Sequence, residues 1–216
     1  MPALFPPRTT PLARAMAFGL GLLVIALPVG LMWWVRQPPV TGQGRTAAQP
    51  VAAFSHRLHT RFRIDCRFCH AGAERAADAG LPATTMCVPC HEPVWLSGRE
   101  FAAVRQSLRT ARPIAWNRVN RVPDYVFFNH AIHVNKGVGC ETCHGRVDRM
   151  DLAHQAAPLT MGWCLDCHQD PAKQLRPVSA VTEMGYRPAR PQAELGPELA
   201  RAYHVRPLTD CTTCHR

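Results

Sequence analysis

The chain has 216 residues, a length that accommodates one or two domains. Twenty prolines and fourteen glycines argue against a fold of long regular elements, and 23 of the 25 basic residues are arginine, Lys136 and Lys173 being the others. The formal charge of +10 ordinarily points to a nucleic-acid or anionic-membrane partner, unless the chain carries compensating negative charge.

Ala15 to Val35 form a run of 21 residues without a charge, between Arg14 and Arg36. As a helix this run spans about 31 Å, close to the hydrocarbon thickness of a bilayer. Trp33 and Trp34 stand at its far end, where an aromatic belt belongs, and Pro28 is tolerable in a membrane helix. A cleaved signal peptide is the alternative, with Ala47-Ala48 as a small-residue site, but the run exceeds a normal h-region. The expectation is an uncleaved anchor, with residues 1–36 as cytoplasmic tip and transmembrane helix and 37–53 as linker. Arg8 and Arg14 before the run, and Arg36 and Arg45 after it, leave orientation undecided by charge.

Beyond the linker, all ten cysteines fall into five copies of Cys-x-x-Cys-His. The copies are Cys66/Cys69/His70, Cys87/Cys90/His91, Cys140/Cys143/His144, Cys164/Cys167/His168 and Cys211/Cys214/His215. A disulfide framework gives no reason for a histidine after every second cysteine. Zinc sites pair two such half-sites, and five would strand one. A thioredoxin-like pair is normally single, on a βαβ unit that is not evident here. The motif is the attachment signature of haem c, whose vinyl groups bond the two thiols while the histidine takes one axial position on iron. Five covalently attached haem c groups are therefore expected. Their ten propionates bring roughly −10 if all ionise, so no nucleic-acid partner is inferred. The arginines suit bidentate pairing with those carboxylates, or reflect base composition. Thioether attachment takes place outside the bacterial cytoplasmic membrane, which orients the anchor: single-pass in the inner membrane, haem domain in the periplasm.

Two stretches repeat. Phe54-Ser-His56-Arg-Leu-His59 precedes Cys66 by the same spacing as Phe128-Asn-His130-Ala-Ile-His133 precedes Cys140, ten residues from each leading histidine. The next motif follows after 21 residues in one copy and 24 in the other. The expected units are a first dihaem module at 54–96, a connector helix and loop at 97–127, and a second dihaem module at 128–171. Ser97-Gly-Arg-Glu100 has the form of a capping box and predicts a connector helix through about Leu108. Residues 172–216, rich in proline and charge up to about 210, are expected as an irregular arm carrying the fifth haem.

Histidines three apart share one side of a helical turn and can reach two irons. His56, His59, His130 and His133, with His70, His91, His144, His168 and His215, make nine axial ligands of ten. Met161 is the choice for the tenth, against His204, His154 or Met86; a thioether raises the iron potential relative to a second imidazole. With every axial position taken, iron changes oxidation state without an open site, so an electron carrier is expected and no catalytic residue is assigned.

The Phe-x-His-x-x-His pairs before Cys-x-x-Cys-His resemble the class III multihaem cytochromes. That resemblance implies His56 for the haem at Cys66 and His130 for the haem at Cys140, leaving the targets of His59 and His133 open. It implies a fold that is mostly coil with short α-helices wrapped around five haems. The whole layout, including Leu159-Thr-Met161-Gly-Trp-Cys164, resembles the pentahaem cytochrome subunit of bacterial alternative complex III. By resemblance the partners are an iron–sulfur/molybdopterin-like subunit, quinol-handling membrane subunits, and a monohaem cytochrome c or other soluble acceptor. A free-standing membrane-anchored quinol dehydrogenase and a multihaem reductase with one open haem are the alternatives.

Overall fold

The computed structural model describes residues 10–37, 42–51, 54–92 and 97–215. The expected cytoplasmic tip with Arg8, parts of the linker, and residues 93–96 of the first module lie outside the described residues. By contact the chain divides into two units, Met1–Gly42 and Gln43–Arg216.

The first unit is built on one helix, α1 (Thr10–Val35), of 26 residues with none buried. It begins at Thr10 rather than at the expected Ala15 and takes in Arg14. Pro11 falls in the first turn, where a missing N–H removes no helical hydrogen bond. Pro28 lies inside the helix. The helix is long and apolar enough to cross a membrane.

The second unit is assembled from short pieces. They are α2 (His56–Arg61), α3 (Cys66–Cys69), α4 (Val88–His91), α5 (Ala102–Thr110), α6 (His130–Asn135), α7 (Cys140–His144), α8 (Met161–Gln169), α9 (Gln192–Ala202) and α10 (Cys211–Cys214). Among the described residues there is no strand, only isolated bridges at Thr46–His154, Val126–His215 and Val138–Leu175. Helices this short are marginal alone, so each depends on its cap and on what packs against it.

Two expectations need correction. The connector helix does not open on a Ser97 capping box. Gly98 caps without a side-chain bond, Arg99–Phe101 form a 3₁₀ turn, and α5 runs on to Thr110, closed by Ala111 in the left-handed region at φ 53°. Its buried Ser107 shares a 2.6 Å hydrogen bond with Thr84, tying the connector to the turn before Cys87. The stretch from 172 to 210 is not an irregular arm either. It contains α9, the longest described helix of this unit, and Leu175, Leu195 and Leu199 form a buried cluster with Val138, Ala200, Tyr203 and Val205 packed against it. Pro197 inside α9 hides the helix from a reading of the sequence. A Cβ on Gly196 would run into the Ala172 carbonyl oxygen, and the Gln192 amide donates to the carbonyls of Ala172 and Leu175, each at 2.8 Å. The arm is thus the main apolar support of the second module.

Candidate haem-binding centre

Each Cys-x-x-Cys forms one turn of helix, which brings both thiols to one face and leaves the following histidine at the end of the turn. The amides of His70, His91 and His215 donate to the carbonyls of Cys66, Cys87 and Cys211, at 2.8, 3.1 and 2.9 Å. Asp65 caps the Cys66 turn, its carboxylate accepting from the Arg67 amide at 2.8 Å. Gly139 occupies the corresponding place before Cys140, and Thr160 caps α8. All ten thiols are free, as attachment through thioethers requires.

The two Phe-x-His-x-x-His segments fold alike. Ser55 and Asn129 cap α2 and α6 by accepting from the Leu58 and Ile132 amides, at 3.4 and 3.3 Å. Phe54 stacks on His59 with ring centroids 4.8 Å apart, and Phe128 on His133 at 4.7 Å. The leading histidines meet the same rings edge-on, at 4.9 Å for His56 and 4.7 Å for His130.

These imidazoles stand opposite the motif histidines. Ring centroids are 6.1 Å apart for His59 and His91, 6.0 Å for His133 and His168, and 6.3 Å for His130 and His144. Two metal–imidazole bonds of roughly 2 Å, with ring nitrogens about 1 Å from their ring centres, separate such centroids by about 6 Å. The residues therefore fit a haem iron held from both sides. The structure supplies what the sequence left open: His59 faces His91 and His133 faces His168. His56 is within electrostatic reach of His70. Burial first, then the neighbouring imidazoles, hold His56 and His144 at about 4, and burial also lowers His91 and His133. These side chains are kept neutral, the form that binds metal.

Ring orientation is further fixed at Nδ1. Carbonyls of Ser55, Gly80, Ala77, Asn129, Leu208 and Tyr125 lie 2.8–3.3 Å from Nδ1 of His59, His70, His130, His133, His168 and His215, respectively. His144 instead faces the side chain of Asn120, at 3.1 Å. With Nε2 on iron, Nδ1 carries the proton and donates.

The attachment turns are not arranged in chain order. The Cys66 and Cys140 thiols are neighbours, and that proximity together with burial raises the Cys140 thiol. The Thr182 hydroxyl donates to Asp65 at 3.0 Å while the Cys140 amide donates to the Val181 carbonyl at 2.9 Å, so one segment bridges both turns. Cys69 is within electrostatic reach of Cys87 and Cys90, Cys143 of Cys167 and Cys164, and Cys164 of Cys214. The Phe127 amide donates to the Cys214 carbonyl at 2.8 Å, placing the last turn against the start of the second module. The turns thus run 87, 66, 140, 164, 211. The modules abut through their first turns, and Cys90 and Cys211, in the two outermost turns, are the exposed cysteines.

Met161 is the first residue of α8, one turn before Cys164, and its side chain is exposed. His204 is exposed beyond the end of α9 with φ 53°, and His154 pairs through its backbone with Thr46. Across from His215 stands Tyr125, at 5.8 Å between ring centres. Sequence reasoning missed Asn120, and also Arg176, a buried guanidinium that holds Glu141 inside the Cys140 turn at 2.9 Å.

Residues 126–216 match the family model for cytochrome c7 and related cytochrome c. The chain is also 36% identical over 124 residues to the menaquinone reductase multihaem cytochrome c subunit of Nitratidesulfovibrio vulgaris. The alignment covers 56% of this chain and 55% of the relative, so the chain spans about half the length of that curated relative.

Proposed function

We propose that this chain is a membrane-anchored cytochrome carrying five haem c groups, which relays electrons between a membrane quinone pool and a second redox partner. The observation that carries the reading is the set of three imidazole pairs at 6.0–6.3 Å, each spaced to hold one iron from both sides. Haem so ligated supplies one-electron transfer and no substrate position. The protein's part is to hold each ligand neutral, fix its orientation, and keep neighbouring attachment turns in contact from Cys87 to Cys211. No residue is assigned a catalytic role.

In its finer form the reading is the pentahaem subunit of an alternative complex III, anchored in the bacterial inner membrane by α1 with residues 43–216 in the periplasm. Iron–sulfur/molybdopterin-like and quinol-handling membrane subunits deliver electrons from quinol, and a monohaem cytochrome c or other soluble carrier accepts them. Met161 is the tenth axial ligand. It pairs with His215, because His91, His144 and His168 each face an imidazole, the resemblance gives His56 to His70, and Cys164 is within electrostatic reach of Cys214. A second reading, favoured by the name of the relative, reverses the flow and places the chain in a complex that reduces menaquinone.

The test is purification of the tagged chain from its own membranes. A stable complex with covalent haem at five per chain, reduced by a menaquinol analogue and re-oxidised by soluble cytochrome c, supports the first reading. A complex that passes electrons only from a periplasmic donor to quinone supports the second. Isolation without partner subunits sinks both. Met161→Ala is expected to convert one low-spin centre to high spin, read by magnetic circular dichroism.

A further inference from the structure

Six imidazoles of the centre meet main-chain carbonyls at Nδ1, which no substitution removes. His144 meets a side chain. Asn120 lies in the segment between the modules, its amide nitrogen 3.1 Å from His144 Nδ1, while its carbonyl oxygen is buried without a hydrogen-bond partner. The two facts form one contradiction. If His144 binds iron through Nε2, its Nδ1 carries a proton, and an N–H donor would then face an NH₂ donor. Turning the amide over resolves both problems: the oxygen accepts from His144 and leaves the place where it had no partner.

We propose that Asn120 is the positioning residue of the His144 imidazole, accepting its Nδ1–H through the amide oxygen and setting the potential of the iron bound there. An acceptor at Nδ1 makes the ligating nitrogen more electron-rich, which favours ferric iron. A carboxylate strengthens that effect. An apolar side chain leaves a buried N–H unpaired and favours the ferrous state. The Cys140 turn is the middle of five, joining the two modules, so Asn120 adjusts the level at the junction.

The inference rests on haem being bound at this turn. It is testable because His130 and His144 are nearly coplanar, at 7°, whereas His59/His91 and His133/His168 cross at 53° and 61°. In low-spin ferric iron, parallel imidazole planes give a resolved rhombic EPR signal and crossed planes a broad one at low field. The experiment is a potentiometric titration of the full chain in its membrane complex, followed by EPR, for wild type, Asn120→Asp, Asn120→Leu and Asn117→Ala. The rhombic species is expected to titrate lower in Asn120→Asp and higher in Asn120→Leu, with the crossed species unmoved and Asn117→Ala like wild type. Covalent haem per chain is measured alongside; if Asn120→Leu loses haem, the isosteric Asn120→Asp decides. A rhombic species with unchanged potential in Asn120→Asp, or equal shifts in every species, overturns the proposal. A wild-type chain without covalent haem overturns the haem reading, and this one with it.

Discussion

The two Phe-x-His-x-x-His modules agree in their ligand geometry and differ in what supports it. Stacking distances and angles of Phe54 on His59 and Phe128 on His133 match to 0.1 Å and 1°. Around them little matches. The second module leans on α9 and the Leu175 cluster, and its Cys140 turn is held by the buried Arg176–Glu141 pair. The first module's Cys66 turn is held by Asp65 and Arg67 at the surface, and Ser107 of the connector ties down the turn before Cys87. A cap, a phenylalanine and two histidines within six residues set the geometry of the ligands. Distant parts of the chain set how firmly that geometry is held.

The largest effect comes from removing a ligand of either pair. His59→Ala is expected to turn one low-spin centre wholly high-spin, and the affected haem is the one at Cys87, not the one that follows in sequence. His133→Ala is expected to do the same at Cys164. Magnetic circular dichroism of each variant, combined with the matching Cys→Ser variant that removes the haem, identifies the centre. If the haem at Cys66 or Cys140 changes instead, the facing of His59 to His91 and His133 to His168 is wrong.

The next test separates the modules. Arg176→Ala removes the closest cation from the half-buried Glu141, which keeps the Gly185 amide at 2.6 Å and Arg146 at 3.9 Å, and is expected to cost about 1.5–3 kcal/mol. Its counterpart Arg67→Ala breaks two ion pairs at the surface, to Asp65 and Glu74, whose side chains are 33–40% exposed, each worth at most about 1 kcal/mol. Denaturant unfolding of both variants checks the ratio, and equal losses would mean that burial does not distinguish the two turns. Smaller still are the caps. Ser55→Ala and Asn129→Ala each lose the acceptor for one helical amide, about 1 kcal/mol, and Ser55→Ala is expected to cost more because the buried hydroxyl also donates to Asp151 at 3.0 Å.

What was legible in the sequence follows the same division. The helical Cys-x-x-Cys turns and the two alike Phe-x-His-x-x-His segments were readable as local structure because each is specified within six residues. The long apolar helix was legible to its C-terminal end; its start was misplaced because the uncharged run was bounded at Arg14, which the helix takes in. The facing of His59 to His91 depends on the path of residues 70–83 between two short helical turns, which no periodicity records. Asn120 lies 24 residues before His144, and Arg176 lies 35 after Glu141. Proline-rich composition also concealed α9. Contacts between segments, rather than patterns within them, were what the sequence withheld.

The smallest expected effect is on pH, and it again distinguishes the modules by a single cap. Asp65 caps the Cys66 turn, and Arg67, through side-chain and backbone hydrogen bonds, holds its carboxyl down at about 2, with Thr182 contributing. A depressed carboxyl pKa stabilises the folded state above the ordinary aspartate value, and that contribution is lost as pH falls from about 4 to about 2. Gly139, the cap of the Cys140 turn, has nothing to protonate. Acid should therefore loosen the Cys66 turn through its cap, because protonated Asp65 no longer holds Arg67 as an ion pair and accepts less strongly from Thr182, whereas in the Cys140 turn acid acts on Glu141 and not on the cap. Amide hydrogen exchange between pH 5 and pH 2, corrected for intrinsic rates, is expected to show protection at Arg67 falling as Asp65 protonates. Asp65→Asn is expected to remove that acid dependence. If Arg67 protection follows pH in Asp65→Asn as it does in the wild type, the Asp65 cap is not an acid-sensitive part of the junction.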